Sequence, residues 1–258
     1  MLGKLLKYEF LATARFMLPV YGGAVALALL TRLLMFGDQM AGADVFGAAF
    51  GLMIFAYGAS ILAVVVLSIV FIIQRFYSNL FRDQGYLTHT LPVSIDTLLW
   101  SKLIAAFCWA LASIVVVVVS LAIMATGFWY DLFFRDLRFF WEIMPHYHMR
   151  GIELFLSLLH SIIGLLAGIL MFYAALSIGQ LVKRAKILIA VLVYLGMSYA
   201  LGIISSAVLF ATMDFSQASL FGMYSTFYFY FSIVFTLAQG LGFYFITRGI
   251  LRHKLNLE

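Results

Sequence analysis

The side chains able to carry chemistry are few in this chain and widely scattered. Its 258 residues include 16 Lys and Arg, 11 Asp and Glu, 5 His and 1 Cys. No GxxxxGK(S/T) loop, HExxH, GxSxG or paired-carboxylate constellation occurs, so hydrolysis of ATP, peptides or lipids by this chain alone is not expected. No catalytic residue and no cofactor is assigned to it. His146 and His148 stand two residues apart with no third ligand in sight, which does not make a metal site. His160 lies in an apolar run, where a hydrogen bond between helices is the ordinary role and a proton relay the alternative. Cys108 also lies in an apolar run; alone, it forms no intrachain disulfide and reads as a small buried hydrophobe. What remains is Ser78–Lys102, SNLFRDQGYLTHTLPVSIDTLLWSK, the longest polar-containing interruption of an oily sequence. It is too patterned for a slack linker. Ser78 to Leu87 suits a short helical segment interrupted by Gly85. Pro92 then turns the chain by forcing Leu91 out of the helical region, and Ser94 is placed to cap a helix beginning at Ile95.

The elements that must position this stretch are membrane spans. The chain is 65% hydrophobic and 10% charged, against about 25% charged in soluble domains. A bilayer crossing needs about 20 mainly apolar helical residues. The sequence supplies such runs repeatedly, without the short alternating strands of an outer-membrane barrel. The expected fold class is all-α: a polytopic membrane protein of six spans, with an N-terminal interfacial helix and an outer amphipathic helix. The whole chain, 1–258, is read as one transmembrane domain, with 1–16 interfacial, 77–101 a connecting loop and 127–150 an outer interfacial segment. The basic, then apolar N-terminus superficially suits a signal peptide. The absence of a small-residue cleavage site and the spans that follow favour mature structure.

The first span covers about Met17 to Phe36, with Pro19 in its first turn, where a missing N–H matters little. Arg32 near its far end is a snorkelling anchor or, alternatively, a substrate-binding charge. Asp38 and Asp44 mark a short outer loop. The second span, about 47 to 75, opens with Gly47 and Gly51 in the GxxxG spacing that permits close helix approach. The third runs from about Leu103 to Thr126. The fourth, about Leu154 to Leu181, carries Gly164 and Gly168, again read as packing glycines. A tight basic turn of Lys183, Arg184 and Lys186 leads into the fifth span, about Ile187 to Phe210. Residues 215 to 247 carry no charge, about 13 more residues than one crossing requires. A short re-entrant or interfacial segment before the sixth span, or simple tilt, accommodates the surplus. Gln74, Gln180 and Gln239 are read as lying at or near span ends, and no Asp, Glu or Arg is placed at mid-depth.

The flanks have their own pattern. Lys4, Lys7 and Arg15 fall within an arc of roughly 80° on a helix, with Leu2, Leu5, Leu6, Phe10 and Phe16 opposite. Glu9 breaks this pattern by projecting from the apolar side. It either finds a cation or backbone donor on a neighbouring element or stays solvated near the membrane surface. Asp131, Arg135, Arg138 and Glu142 are spaced to share one stripe of an outer helix, with Trp129, Phe133 and Trp141 on the other face. That segment reads as a structural anchor, or as a substrate-gathering surface. With six spans and the N-terminus inside, only Arg32, Arg135, Arg138 and Arg150 of the basic residues lie outside. This is the positive-inside distribution, with both termini cytoplasmic and the chain multi-pass in the plasma membrane. The net charge of +5 reflects contact with the inner leaflet rather than nucleic acid.

The opening MLGKLLKYEFLATAR, the loop NLFRDQGYLTHTLPVS and its continuation to Ser101-Lys102 resemble the permease subunits of type-two ABC exporters, especially the small six-span bacterial ones. These pieces cover about a sixth of the chain. Where that family usually has an acidic residue before Gly-Tyr-Leu, this chain has Gln84, with Asp83 adjacent. The resemblance implies that the loop is a coupling helix seated in a cleft of a separate ATPase subunit. It carries an ATPase-contact role onto Asn79, Leu80, Phe81, Arg82, Asp83, Gly85, Tyr86 and Leu87, with Pro92 and Ser94 shaping the loop. An aromatic or leucine would fill a pocket, while Arg82 and Asp83 would set register. The N-terminal segment, with Lys4, Lys7, Glu9 and Arg15, would be a connecting helix that also touches the ATPase. ATP and Mg would reside on that partner. A second permease, identical or related, would complete the pathway for an amphipathic or hydrophobic substrate. Two other readings stand beside this one: an ATP-independent secondary transporter or channel, and a non-transport immunity or assembly factor using the same scaffold.

Overall fold

Six long helices account for the described chain. In the computed structural model, residues 2–41, 44–81, 94–125, 151–182, 184–212 and 226–253 are described. The helices are α1 (Leu2–Ala41), α2 (Asp44–Phe81), α3 (Ile95–Ala125), α4 (Gly151–Gly179), α5 (Lys186–Thr212) and α6 (Thr226–His253). All six are long and apolar enough to cross a membrane, so the protein is a polytopic, all-α membrane protein. Their outward faces agree: Phe55 is 79% exposed within α2, an arrangement that only a lipid solvent makes favourable. The expected outer helix (127–150) and the surplus of 215–225 lie outside the described residues, as do His146 and His148.

Several boundaries differ from the sequence reading. The N-terminal amphipathic segment is not a separate element, because α1 runs unbroken past Phe16 to Ala41. Pro19 is consequently inside a helix, where its ring nitrogen leaves the Arg15 carbonyl without the usual donor. The helix also takes in Asp38, which was expected in an outer loop. Gln239 falls at the middle of α6 rather than near its end.

The described chain divides into two compact units, Met1–Arg75 with Ile104–Arg138, and Phe76–Leu103 with Phe139–Glu258. In the first unit, α1 buries Thr13, Met17, Tyr21, Ala24, Ala28 and Thr31, in steps of three or four residues along one stripe. Glu9 continues that stripe by one turn, which explains its departure from the amphipathic pattern. It meets a cation there: Arg75 Nη2 lies 3.2 Å from Glu9 Oε2. Met17, Tyr21 and Ala24 pack against Val64 of α2, with Trp109, Val116 and Val117 of α3 completing the cluster.

Hydroxyls cross this apolar seam in pairs. Tyr21 Oη is 2.7 Å from Ser113 Oγ and donates to the Trp109 carbonyl at 3.2 Å. Ser113 Oγ also lies 2.6 Å from Ser68 Oγ, and Tyr57 Oη donates to Ser120 Oγ at 3.1 Å. With no hydrophobic effect between helices in lipid, such bonds are a main source of helix-to-helix preference.

In the second unit, α4 packs principally against α6, with α5 against α4. Phe172 and Tyr194 stack with centroids 4.3 Å apart. Among its described residues α5 buries only Ala190. Of the GxxxG glycines, a Cβ on Gly51, Gly164 or Gly168 would meet nothing within 4 Å in the described chain. The close approaches occur elsewhere. A Cβ on Gly179 would stand 2.6 Å from the Lys186 carbonyl and 2.8 Å from Ala190 Cβ, so the α4–α5 turn closes over a missing side chain. Ala185 in that turn has a φ of 56°, a left-handed conformation that costs an L residue about 1 kcal/mol or more. His160 Nε2 lies 3.1 Å from Thr236 Oγ1, the interhelical bond expected of it. Cys108 is half-buried rather than enclosed.

Candidate functional site

The two ends of the α2–α3 connection are each fixed to the second unit. On the exit side, α2 continues to Phe81, six residues beyond the expected end of the second span near 75. Phe76 is fully buried and lies flat on the Tyr173 ring of α4, with centroids 3.8 Å apart and planes 7° from parallel. Such an aromatic pair is worth about 0.5–1.5 kcal/mol beyond its burial. One turn on, Leu80 is fully buried, and Phe81 sets its ring edge against Phe76 at 5.8 Å. Tyr173 also reaches the entry side, since its hydroxyl donates to the Lys102 carbonyl of α3 at 3.3 Å.

On the entry side, Ser94 caps α3 as its position before an apolar helix demands. Its Oγ accepts the Thr97 N–H at 3.3 Å and lies 2.7 Å from Thr97 Oγ1, while its carbonyl accepts the Leu98 N–H at 3.1 Å. Asp96, in the first turn, is where the helix dipole favours a carboxylate. Arg248, near the end of α6, grips it with two nitrogens: Nε to Oδ1 at 2.7 Å and Nη2 to Oδ2 at 2.8 Å. Tyr244 Oη, one turn earlier on α6, donates to Oδ1 at 2.6 Å, and the Trp100 ring leans on Tyr244 with centroids 5.9 Å apart. A bidentate Arg–carboxylate fork fixes orientation as well as distance. Both side chains remain more than a third exposed, so solvent screens part of its strength.

Tyr173 holds both the exit and the entry of the connection, and Asp96 locks the entry to α6.

The sequence-derived site residues are distributed unevenly around this framework. Asn79 and Leu80 are buried, at 9% and 0% exposure. The packing stripe of α2 runs through 76, 79 and 80. Phe81 is half-buried. Arg82, Asp83, Gly85, Tyr86, Leu87 and Pro92 lie outside the described residues. Lys4, Lys7 and Arg15 are exposed, opposite the buried stripe of α1, while Glu9 is paired as described. Asp96, Tyr173, Tyr244 and Arg248 were not singled out by their spacing. The Asp96–Arg248 partnership spans 152 residues. Only the placement of one charge at a helix start and its opposite at a helix end hinted at it.

Among the described residues no three His, Cys, Asp or Glu side chains gather into a metal-sized group. No family model, curated protein or solved structure matches the chain.

Proposed function

We propose that this chain is the membrane-spanning permease subunit of an ATP-driven exporter, coupled to a separate ATPase subunit through residues 81–87. The observation that carries the reading is the double anchorage of the α2–α3 connection. A coupling element has to be stiff at both ends, and here Tyr173 and Asp96 supply that stiffness. The lean chemistry of the chain supports the same division of labour, with catalysis, ATP and Mg on the partner. The positive-inside charge distribution supports placing the connection and both termini in the cytoplasm, where an ATPase could reach them. The contact surface comprises Phe81, Arg82, Asp83, Tyr86 and Leu87, with Gly85 and Pro92 shaping it. The N-terminal part of α1, with Lys4, Lys7, Glu9 and Arg15, supplies a separate connecting-helix contact with the ATPase. A second permease copy or paralogue completes the pathway for an amphipathic or hydrophobic substrate.

The test is affinity purification of the tagged chain from native membranes in which its ATPase partner is expressed. An ATP-binding subunit should co-purify in stoichiometric amount. Arg82→Glu combined with Tyr86→Ala should release it while leaving the helical content of the permease unchanged. Recovery of the wild-type chain reproducibly alone would sink the coupling reading and leave the ATP-independent alternatives.

A further inference from the structure

Beside the Asp96–Arg248 lock, within the second unit, lies a cavity of about 260 Å³ between α3, α4 and α6. For comparison, a dry apolar cavity of about 150 Å³ already admits benzene. Its walls include Leu103, Leu166, Leu170, Gly240 and Leu241. The two hydroxyls in the lining are engaged elsewhere: Thr236 with His160, and Tyr244 with Asp96. A polar solute would find little to bind. At its rim Leu237, Leu241 and Phe245 are exposed, at depths within a membrane-spanning helix, so the cavity opens toward lipid and not water.

One further feature selects among lipids. The α6 stripe that lines the cavity, Leu237, Leu241 and Tyr244, continues outward through Arg248 to Arg252, an exposed cation at the end of the span. Eight helical residues put Arg252 about 12 Å beyond Tyr244 along the axis. That is the separation an amphiphile needs between a buried chain and a charged head at the membrane surface.

We propose that the α3–α4–α6 cavity holds one acyl chain of an anionic phospholipid whose headgroup is bound at Arg252. The site stands whether or not the chain couples to an ATPase. Through Trp100 and Tyr244, which line the cavity and touch each other, and through the Tyr244 bond to Asp96, occupancy would brace the entry of α3.

The experiment uses the full chain with Trp100 as its sole tryptophan, the other three replaced by Phe, reconstituted in phosphatidylcholine vesicles. Small fractions of phosphatidylglycerol or phosphatidylcholine with brominated acyl chains are titrated in, and quenching of Trp100 is read. Brominated phosphatidylglycerol should bind about fivefold tighter than brominated phosphatidylcholine, the preference one surface cation supplies. Arg252→Glu, at an exposed position, should abolish that preference while retaining the quenching, and Arg252→Lys should restore it. Gly240→Leu, which fills the cavity, should reduce quenching by either lipid. Equal quenching of the wild type by both lipids would mean ordinary boundary lipid and overturn the proposal. So would a Gly240→Leu variant that loses self-association but quenches normally, which would assign the face to a second copy of the chain.

Discussion

At the scale of single residues, the polar side chains of this protein act by meeting a specific partner across a helix seam. Glu9 is the clearest instance. Its side chain and that of Arg75 are 14% and 29% exposed, and removing one member leaves the other partly buried without its counter-charge. Glu9→Ala should lower stability by about 2–3 kcal/mol in denaturation of the detergent-solubilised protein. Lys4→Ala, on the exposed side of the same helix, should change it by less than about 0.5 kcal/mol. Ser113 is a second instance, as the hub between Tyr21 and Ser68. Ser113→Ala should cost about 1 kcal/mol, since both neighbours retain a backbone acceptor. Ser161→Ala removes only a bond to its own helix and should be nearly neutral. Ser113 behaving like Ser161 would show that the hydroxyl ladder contributes nothing to helix association.

At the scale of elements, close packing is concentrated where glycine has no alternative. Gly179 closes the α4–α5 turn against the Lys186 carbonyl, and backbone cannot give way as a flexible side chain can. Gly179→Ala should destabilise by about 1–3 kcal/mol, whereas Gly164→Ala and Gly168→Ala, with open space around them, should not. Ala185→Gly should stabilise by about 1 kcal/mol by relieving the left-handed conformation. Thermal denaturation of the four variants side by side gives the order directly. The GxxxG spacing was thus legible but its role was not. A motif states that two small residues share a face, and only the neighbouring helix decides whether anything approaches that face. The Ser94 cap was legible in full, because capping is settled within three residues of chain.

At the scale of the whole molecule, Phe76, Tyr173, Asp96 and Arg248 tie the two ends of the α2–α3 connection to α4 and α6. Under the coupling reading, Asp96→Asn and Phe76→Leu should leave ATPase binding intact but lower transport-coupled ATP turnover. A loss of about 0.5–2 kcal/mol of coupling corresponds to roughly a two- to thirtyfold drop. The same variants losing the ATPase outright would instead make these residues part of the docking surface. Membrane class, the six long apolar helices and the helix start at Ile95 all followed from the chain alone. Each rests on hydropathy or on interactions local in sequence. For Glu9 the sequence left pairing and solvation both open. The continuity of α1 through Pro19, the inward turn of Asn79 and Leu80, and the Asp96–Tyr244–Arg248 lock were decided only in three dimensions. They depend on which helix stands beside which, and residues separated by up to 152 positions leave no periodic trace of that in the sequence.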